Sequence, residues 1–263
     1  MTCARPLALL LALCAPLLAA PLSGCATAST VPDADRHSLA RAWDGKLVYL
    51  RSSVNVLPLF ADGSRRLVSP LHPDSILLLA DGRGAPVPPG PVESVVPMGS
   101  RVRIQKLEFP TGLVVTRRPP GTPREHPWVY LSFPGAAKDL GYVAVLRTAM
   151  TTREDVLAAL GDLFSDEDPS LWLKSVSPEA RRAIEEKRLL SGMDGEQVMA
   201  SWGRPERTRQ DSEAAADADA DNPLRVARYI RVETWTWPVG LRTATFRDGR
   251  LTASTPPLEQ DAR

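Results

Sequence analysis

The chain has 263 residues, 43% of them hydrophobic, with 32 Lys and Arg against 31 Asp and Glu. That balance excludes a global basic field for nucleic acid and an acidic one for cations, while the apolar share suffices for a core. The 25 prolines and the 6% aromatic content favour many turns and short strands over a helical bundle, in one large or two small domains.

Arg5 is the single charge ahead of an apolar run over residues 6–21. The run is shorter than the roughly 20 residues of a membrane-spanning helix and is interrupted by Pro16 and Pro21. A short positive region, an apolar core and then small residues make up an export signal. Removing residues 1–24 would discard Cys3 and Cys14 and leave Cys25 as the one remaining cysteine. An internal disulfide, a thiolate metal cage and a buried cysteine nucleophile are thereby excluded together.

The stretch Leu22-Ser23-Gly24-Cys25 resembles the lipobox of bacterial lipoproteins, which is cut immediately before a lipid-carrying cysteine. The resemblance implies a signal peptide over 1–24 and a diacylglycerol thioether at Cys25, with an amide-linked chain such as palmitate. Two or more chains hold a protein firmly on a bilayer. Ala26 stands where inner-membrane lipoproteins of enteric bacteria often carry Asp, so by resemblance the location is the outer membrane, facing the periplasm.

Residues 25–42 are small, polar and aperiodic, which predicts a lipidated tether with His37 solvated. Residues 43–147 read as a β domain. Short β-prone runs fall at 46–50, 54–60, 75–79, 101–107, 113–116, 128–133 and 142–146. Turn pairs such as Asp62-Gly63, Asp81-Gly82 and Met98-Gly99 separate them. Arg101 and Arg103 alternate with Val102 and Ile104, as in a strand with one wet face. Many short strands predict a small barrel or sandwich. Residues 97–104 also resemble the strand entry of Src-homology-type small barrels.

Residues 148–255 predict an α+β unit. Thr151-Thr152-Arg153-Glu154-Asp155 carries a capping box ahead of Val156, Leu157 and Leu160, with Gly161 closing the helix. Ser177 and Pro178 open a second helix, expected to reach Leu190 and stop at Gly192. Asp194 and Gln197 open a third, ended by Gly203 and Pro205. Residues 211–223 form an acidic, low-complexity loop. Asp217, Asp219 and Asp221 have the spacing that opens a calcium loop, but Asn222 replaces the turn glycine and Arg228 the bidentate Glu, which argues against one. Alternation over 229–237 predicts a strand, 241–247 pairs back on it, and Asp248-Gly249 makes the last hairpin. Residues 256–263 read as a flexible tail.

The segments Gly192-Met193-Asp194-Gly195-Glu196-Gln197-Val198, Trp202-Gly203-Arg204-Pro205 and Glu233-Thr234-Trp235-Thr236-Trp237 resemble the SmpA/OmlA/BamE type of small outer-membrane lipoprotein, over about residues 177–253. Trp202 stands where that family usually has Leu, and the acidic insertion splits the strands. The resemblance implies a fold of short helices on an antiparallel meander. It also implies a non-catalytic role in envelope assembly or integrity, and no cofactor or metal is expected from the residues.

Nothing in the residues overrides that expectation. No Gly-x-Ser-x-Gly elbow, zinc-spaced histidine pair or phosphate-cradling loop occurs. His72 and His126 fall in proline-flanked turns, and Asp166, Glu167 and Asp168 in a charged turn. Trp235 and Trp237 share a strand face, as core or as part of a partner groove. Arg117, Arg118 and Arg124 make a basic cluster suited to lipid headgroups, anionic glycan or solvent. The expected partners are the bilayer, through Cys25, and an envelope protein. An enzyme acting on envelope polymers and a peptidoglycan-binding anchor remain alternatives.

Overall fold

A computed structural model describes residues 29–135, 141–214 and 229–258. The leader, the Leu22-Ser23-Gly24-Cys25 stretch and most of the acidic loop lie outside the described residues.

The chain is mixed α+β with two sheets. The first contains β1 (Leu47–Leu50), β2 (Val54–Leu59), β3 (Asp62–Ser69), β4 (Ser94–Val96), β5 (Arg101–Glu108), β6 (Trp128–Ser132), β7 (Gly141–Val145) and β8 (Phe164–Ser165). Their order is β4-β2-β3-β7-β6-β5-β1-β8, antiparallel throughout except for the parallel β3–β7 pair. This is an open sheet, so the expected small barrel does not form. Its outer strands, β4 and β8, are three and two residues long and do not pair with each other; closure needs continuous ladders around the whole circuit.

Period-two alternation splits the central strands between two cores. Val68, Val129 and Ala144 face one cluster, while their neighbours Leu67, Trp128 and Val143 face another. The first cluster is covered by two helices, α1 (Asp33–Trp43) and, further along the chain, the helix at Arg153–Leu163.

α1 replaces much of the expected tether. Asp33 and Asp35 lie in its first turn, where they favour the helix dipole. Leu39 is fully buried with Trp43 packed one turn on, so a sequence that is polar overall still docks one apolar edge. Residues 113–116, expected as a strand, lie instead in α2 (Gly112–Arg117). A four-residue apolar run has no period by which to tell the two apart. Residues 75–79 are likewise no strand: His72 caps a 3-10 turn at Pro73–Ser75.

α3 (Arg153–Leu163) carries the predicted capping box, with Thr152 and Asp155 bonding reciprocally. It continues past Gly161, and Val156 and Leu160 enter the first core. After the short α4 (Ser170–Ser175) comes α5 (Pro178–Glu185), capped by Ser177 as expected. It ends five residues before Leu190, because Lys187 takes the left-handed conformation (φ 56°) that glycine usually supplies. α6 (Gly195–Trp202) is boxed by Asp194 and Gln197 and stopped at Gly203 (φ 78°).

The second sheet runs β12-β11-β10-β9 through β9 (Arg207–Ala214), β10 (Tyr229–Thr236), β11 (Thr243–Arg247) and β12 (Arg250–Thr255), all antiparallel. β9 takes in the first residues of the stretch read as an acidic loop. α5 and α6 pack on this sheet through Ala183, Ile184 and Val198 against Trp235, Phe246 and Leu251.

Candidate functional site

The two sheets meet at a polar node that begins with a serine. Ser53, fully buried at the start of β2, uses every group it has. Its amide donates to the Ala200 carbonyl (2.8 Å) and its hydroxyl to that of Ile184 (2.7 Å), while the hydroxyl accepts from the Met98 amide (2.9 Å). Its carbonyl accepts from Lys187 Nζ (2.7 Å).

Lys187 Nζ donates twice more, to Pro70 O (2.9 Å) and Ser201 O (2.7 Å). The Ser201 carbonyl needs such a donor. Four residues on stands Pro205, which has no N–H to continue the helical ladder. Although the residue as a whole is only part-buried, its ammonium is enclosed. Burial, and then the charge of Arg242, push its pKa down to about 7. Three carbonyls take up all three N–H groups of the charged form, whereas the neutral amine could serve only two.

Beside this node lies an open groove of about 690 Å3. It runs between the loop after β3, the end of β7, one side of α3 and residues 204–206. Leu77, Leu78, Val145, Leu146, Ala159 and Leu163 contribute apolar lining, and Leu77 is 51% exposed. Ion pairs bridge its walls: Arg204 to Asp162 at 2.8 Å, and Arg147 to Glu206 at 3.6 Å. The wall at 204–206 leads directly into β9, whose outer edge is unpaired among the described residues.

His126 also lines the groove, with Nδ1 2.8 Å from the Leu146 carbonyl. Burial pushes its pKa down against that carbonyl's pull. His72 pairs with Asp74 at 3.0 Å. Burial, and then Arg242, lower the His72 pKa in spite of Asp74. The neighbouring Ser75 hydroxyl is buried and has no hydrogen-bond partner among the described residues, so His72 does not reach it. These three do not form a nucleophile–base relay.

The residues singled out from the sequence scatter. Trp235 and Trp237 are 8% and 2% exposed. Trp235 packs on Phe246 (4.6 Å between centroids) and Trp237 edge-on to Trp202 (5.2 Å), so neither offers an exposed ring to a partner. The arginine cluster divides as well: Arg117 is exposed, Arg124 is part-buried and Arg118 is buried.

Arg118 lies 4.0 Å over the Trp128 ring, donates to the carbonyls of Arg124 and His126, and pairs with Glu108 at 3.0 Å. Its role is internal, not a meeting point for anionic partners. Burial pushes the Glu108 carboxyl up, but Lys106 and Arg118 outweigh it and hold the group below its ordinary value. Asp166 pairs with Lys46, and Asp168 accepts from Ser170.

Lys187, the centre of the junction, went unmarked in the sequence. A lysine after Glu185-Glu186 reads as a solvated charge, and the one local signal was Pro205 depriving Ser201 of its ladder donor. Among the described residues, no group of three or more His, Cys, Asp or Glu is placed to hold a metal ion. Nor is any helix there long and apolar enough to cross a membrane. No protein-family model, curated protein or solved structure matches this chain.

Proposed function

We propose that this chain is an exported lipoprotein, anchored through Cys25 on the periplasmic face of an outer membrane, that acts as a non-catalytic protein-binding or assembly module. The observation that carries the reading is Leu22-Ser23-Gly24-Cys25 behind an apolar leader, with Cys25 the single cysteine beyond the cut. Residues 177–253 then form a unit of the SmpA/OmlA/BamE kind. The Asp194/Gln197 capping box, the Gly203 stop and the helices packed on an antiparallel sheet support that likeness.

The groove and the adjoining edge of β9 are the surface for an extended segment of an envelope protein. Such a segment adds a strand to the edge and buries apolar side chains against Leu77 and Leu146. Two experiments test this. Cys25→Ser is expected to move the protein from the membrane to the soluble fraction. A photo-reactive residue at Leu77 or Thr208 is expected to cross-link one discrete envelope protein, which the same residue at Arg83 does not capture. Retention of Cys25→Ser on membranes, or identical products from all three positions, would count against the reading.

A further inference from the structure

We infer that the small pocket between the two sheets, next to the groove, binds an oxyanion of the phosphate or carboxylate kind. The pocket is lined by Asn55, His72, Ser75, Lys187, Arg242, Trp202 and Trp237. The first sheet and the turn after it supply the first three, and the second unit supplies the rest. No carboxylate lines it; the neighbouring Asp74 pairs with His72 and also favours the charge on Arg242 from outside the pocket.

Its donors point to the ligand. Ser75 is 1% exposed, and neither its hydroxyl nor the buried Nε of Arg242 has a hydrogen-bond partner among the described residues. Buried donors of this kind are rare, and each needs an explanation. The Arg242 guanidinium lies 5.1 Å from the Trp202 ring centroid, which orients the planar fork without using its N–H groups. Burial lowers its pKa, and the charge of Asp74 opposes that shift without an ion pair between the two among the described residues. A forked guanidinium beside a hydroxyl is the donor set that oxyanions take up, two bonds at a time.

Lys187 adds charge but no bond, since its three N–H groups go to Ser53, Pro70 and Ser201. The volume fits: about 50 Å3 accommodates about four water-sized groups, close to one tetrahedral oxyanion. Pro70 and Ser75 line both this pocket and the larger groove, so the anion can be a free ion or the head of a longer, partly apolar ligand. An anion there would join the two sheets in the way the Ser53 node does, and its presence would favour protonation of His72 and Lys187.

The test is a titration of the full chain with inorganic phosphate, followed by calorimetry and by NMR of the imidazole signals, of which the chain has three. The expected result is saturable binding that shifts the His72 signals and raises the His72 pKa while leaving His37 unchanged. Arg242→Gln weakens it by about tenfold or more, the cost of a lost charge-assisted bond, and Ser75→Ala weakens it less. Arg247→Gln on the outer surface leaves it intact. Should Arg242→Gln fail to fold, the His72 shift in the unaltered chain still decides. Butyl phosphate separates the two sources: tighter binding than inorganic phosphate marks the head of an apolar ligand, and equal binding marks a free ion. No His72 response up to saturating phosphate, or an affinity unchanged by Arg242→Gln in folded protein, would overturn the assignment. Neither outcome depends on whether Cys25 carries lipid.

Discussion

Replacing Lys187 with Met keeps the aliphatic stem and removes the ammonium from the Ser53, Pro70 and Ser201 carbonyls. Two effects oppose each other. Each orphaned carbonyl costs about 1–3 kcal/mol, while the variant is freed of an enclosed cation whose pKa is pushed from 10.5 to about 7. The net change at neutral pH is therefore smaller than the bond count implies, and its pH dependence is the sharper observable.

Above pH 7 the folded amine loses its proton while the unfolded one keeps it up to its own, higher pKa. The unfolded state then binds more protons, so stability rises with pH across that window. The expected slope is about 1.4 kcal/mol per pH unit, or about 3 kcal/mol between pH 7.5 and 9.5. Urea unfolding of both proteins across that range, in phosphate-free buffer, gives the difference directly. The unaltered chain should gain on Lys187→Met by that amount. Parallel stability curves would refute the account of an enclosed, readily deprotonated lysine.

Three further substitutions probe the same architecture. Arg118→Met leaves the Glu108 carboxylate without its guanidinium and is expected to cost about 3–5 kcal/mol in chemical denaturation. Because the Glu108 pKa is depressed in the fold, its stabilisation is present above the unfolded value and is lost as pH falls through the folded one, so the variant should show a weaker acid-induced loss. Ser53→Ala strands the Met98 amide and removes one of the donors to the Ile184 carbonyl, which keeps the Lys187 amide. It should cost about 1–3 kcal/mol and speed hydrogen exchange at the Met98 amide. Gly203→Ala meets a φ of 78° and places a Cβ 2.8 Å from that of Pro70. The backbone alone costs about 1–3 kcal/mol, and a melting temperature unchanged from the parent would contradict the close approach.

What the sequence disclosed was mostly local chemistry. The boxes at Thr152/Asp155 and Asp194/Gln197, the Ser177 cap and the Asp248-Gly249 hairpin are each set by neighbours within a few residues. The misread elements have tertiary causes. Residues 33–43 look like a tether until Leu39 is seen buried on β5 and α3. Arg118 looks like surface charge until the Trp128 ring covers it. Seven strand-like runs suggested a small barrel or sandwich, yet closure into a barrel depends on which strands lie at the edges, and here these are two very short ones. The junction was the least legible part. Ser53, Lys187 and Arg242 are far apart in the chain, and none of them sits in a motif.

The central claim, a lipid-anchored protein that begins at Cys25, is tested most directly by mass spectrometry of the N-terminal peptide from membrane-purified material. The account predicts a peptide that starts at Cys25 and carries diacylglycerol plus an amide-linked acyl chain. Recovery of residues 1–24 still joined to that peptide, or of Cys25 with a free thiol, would contradict it.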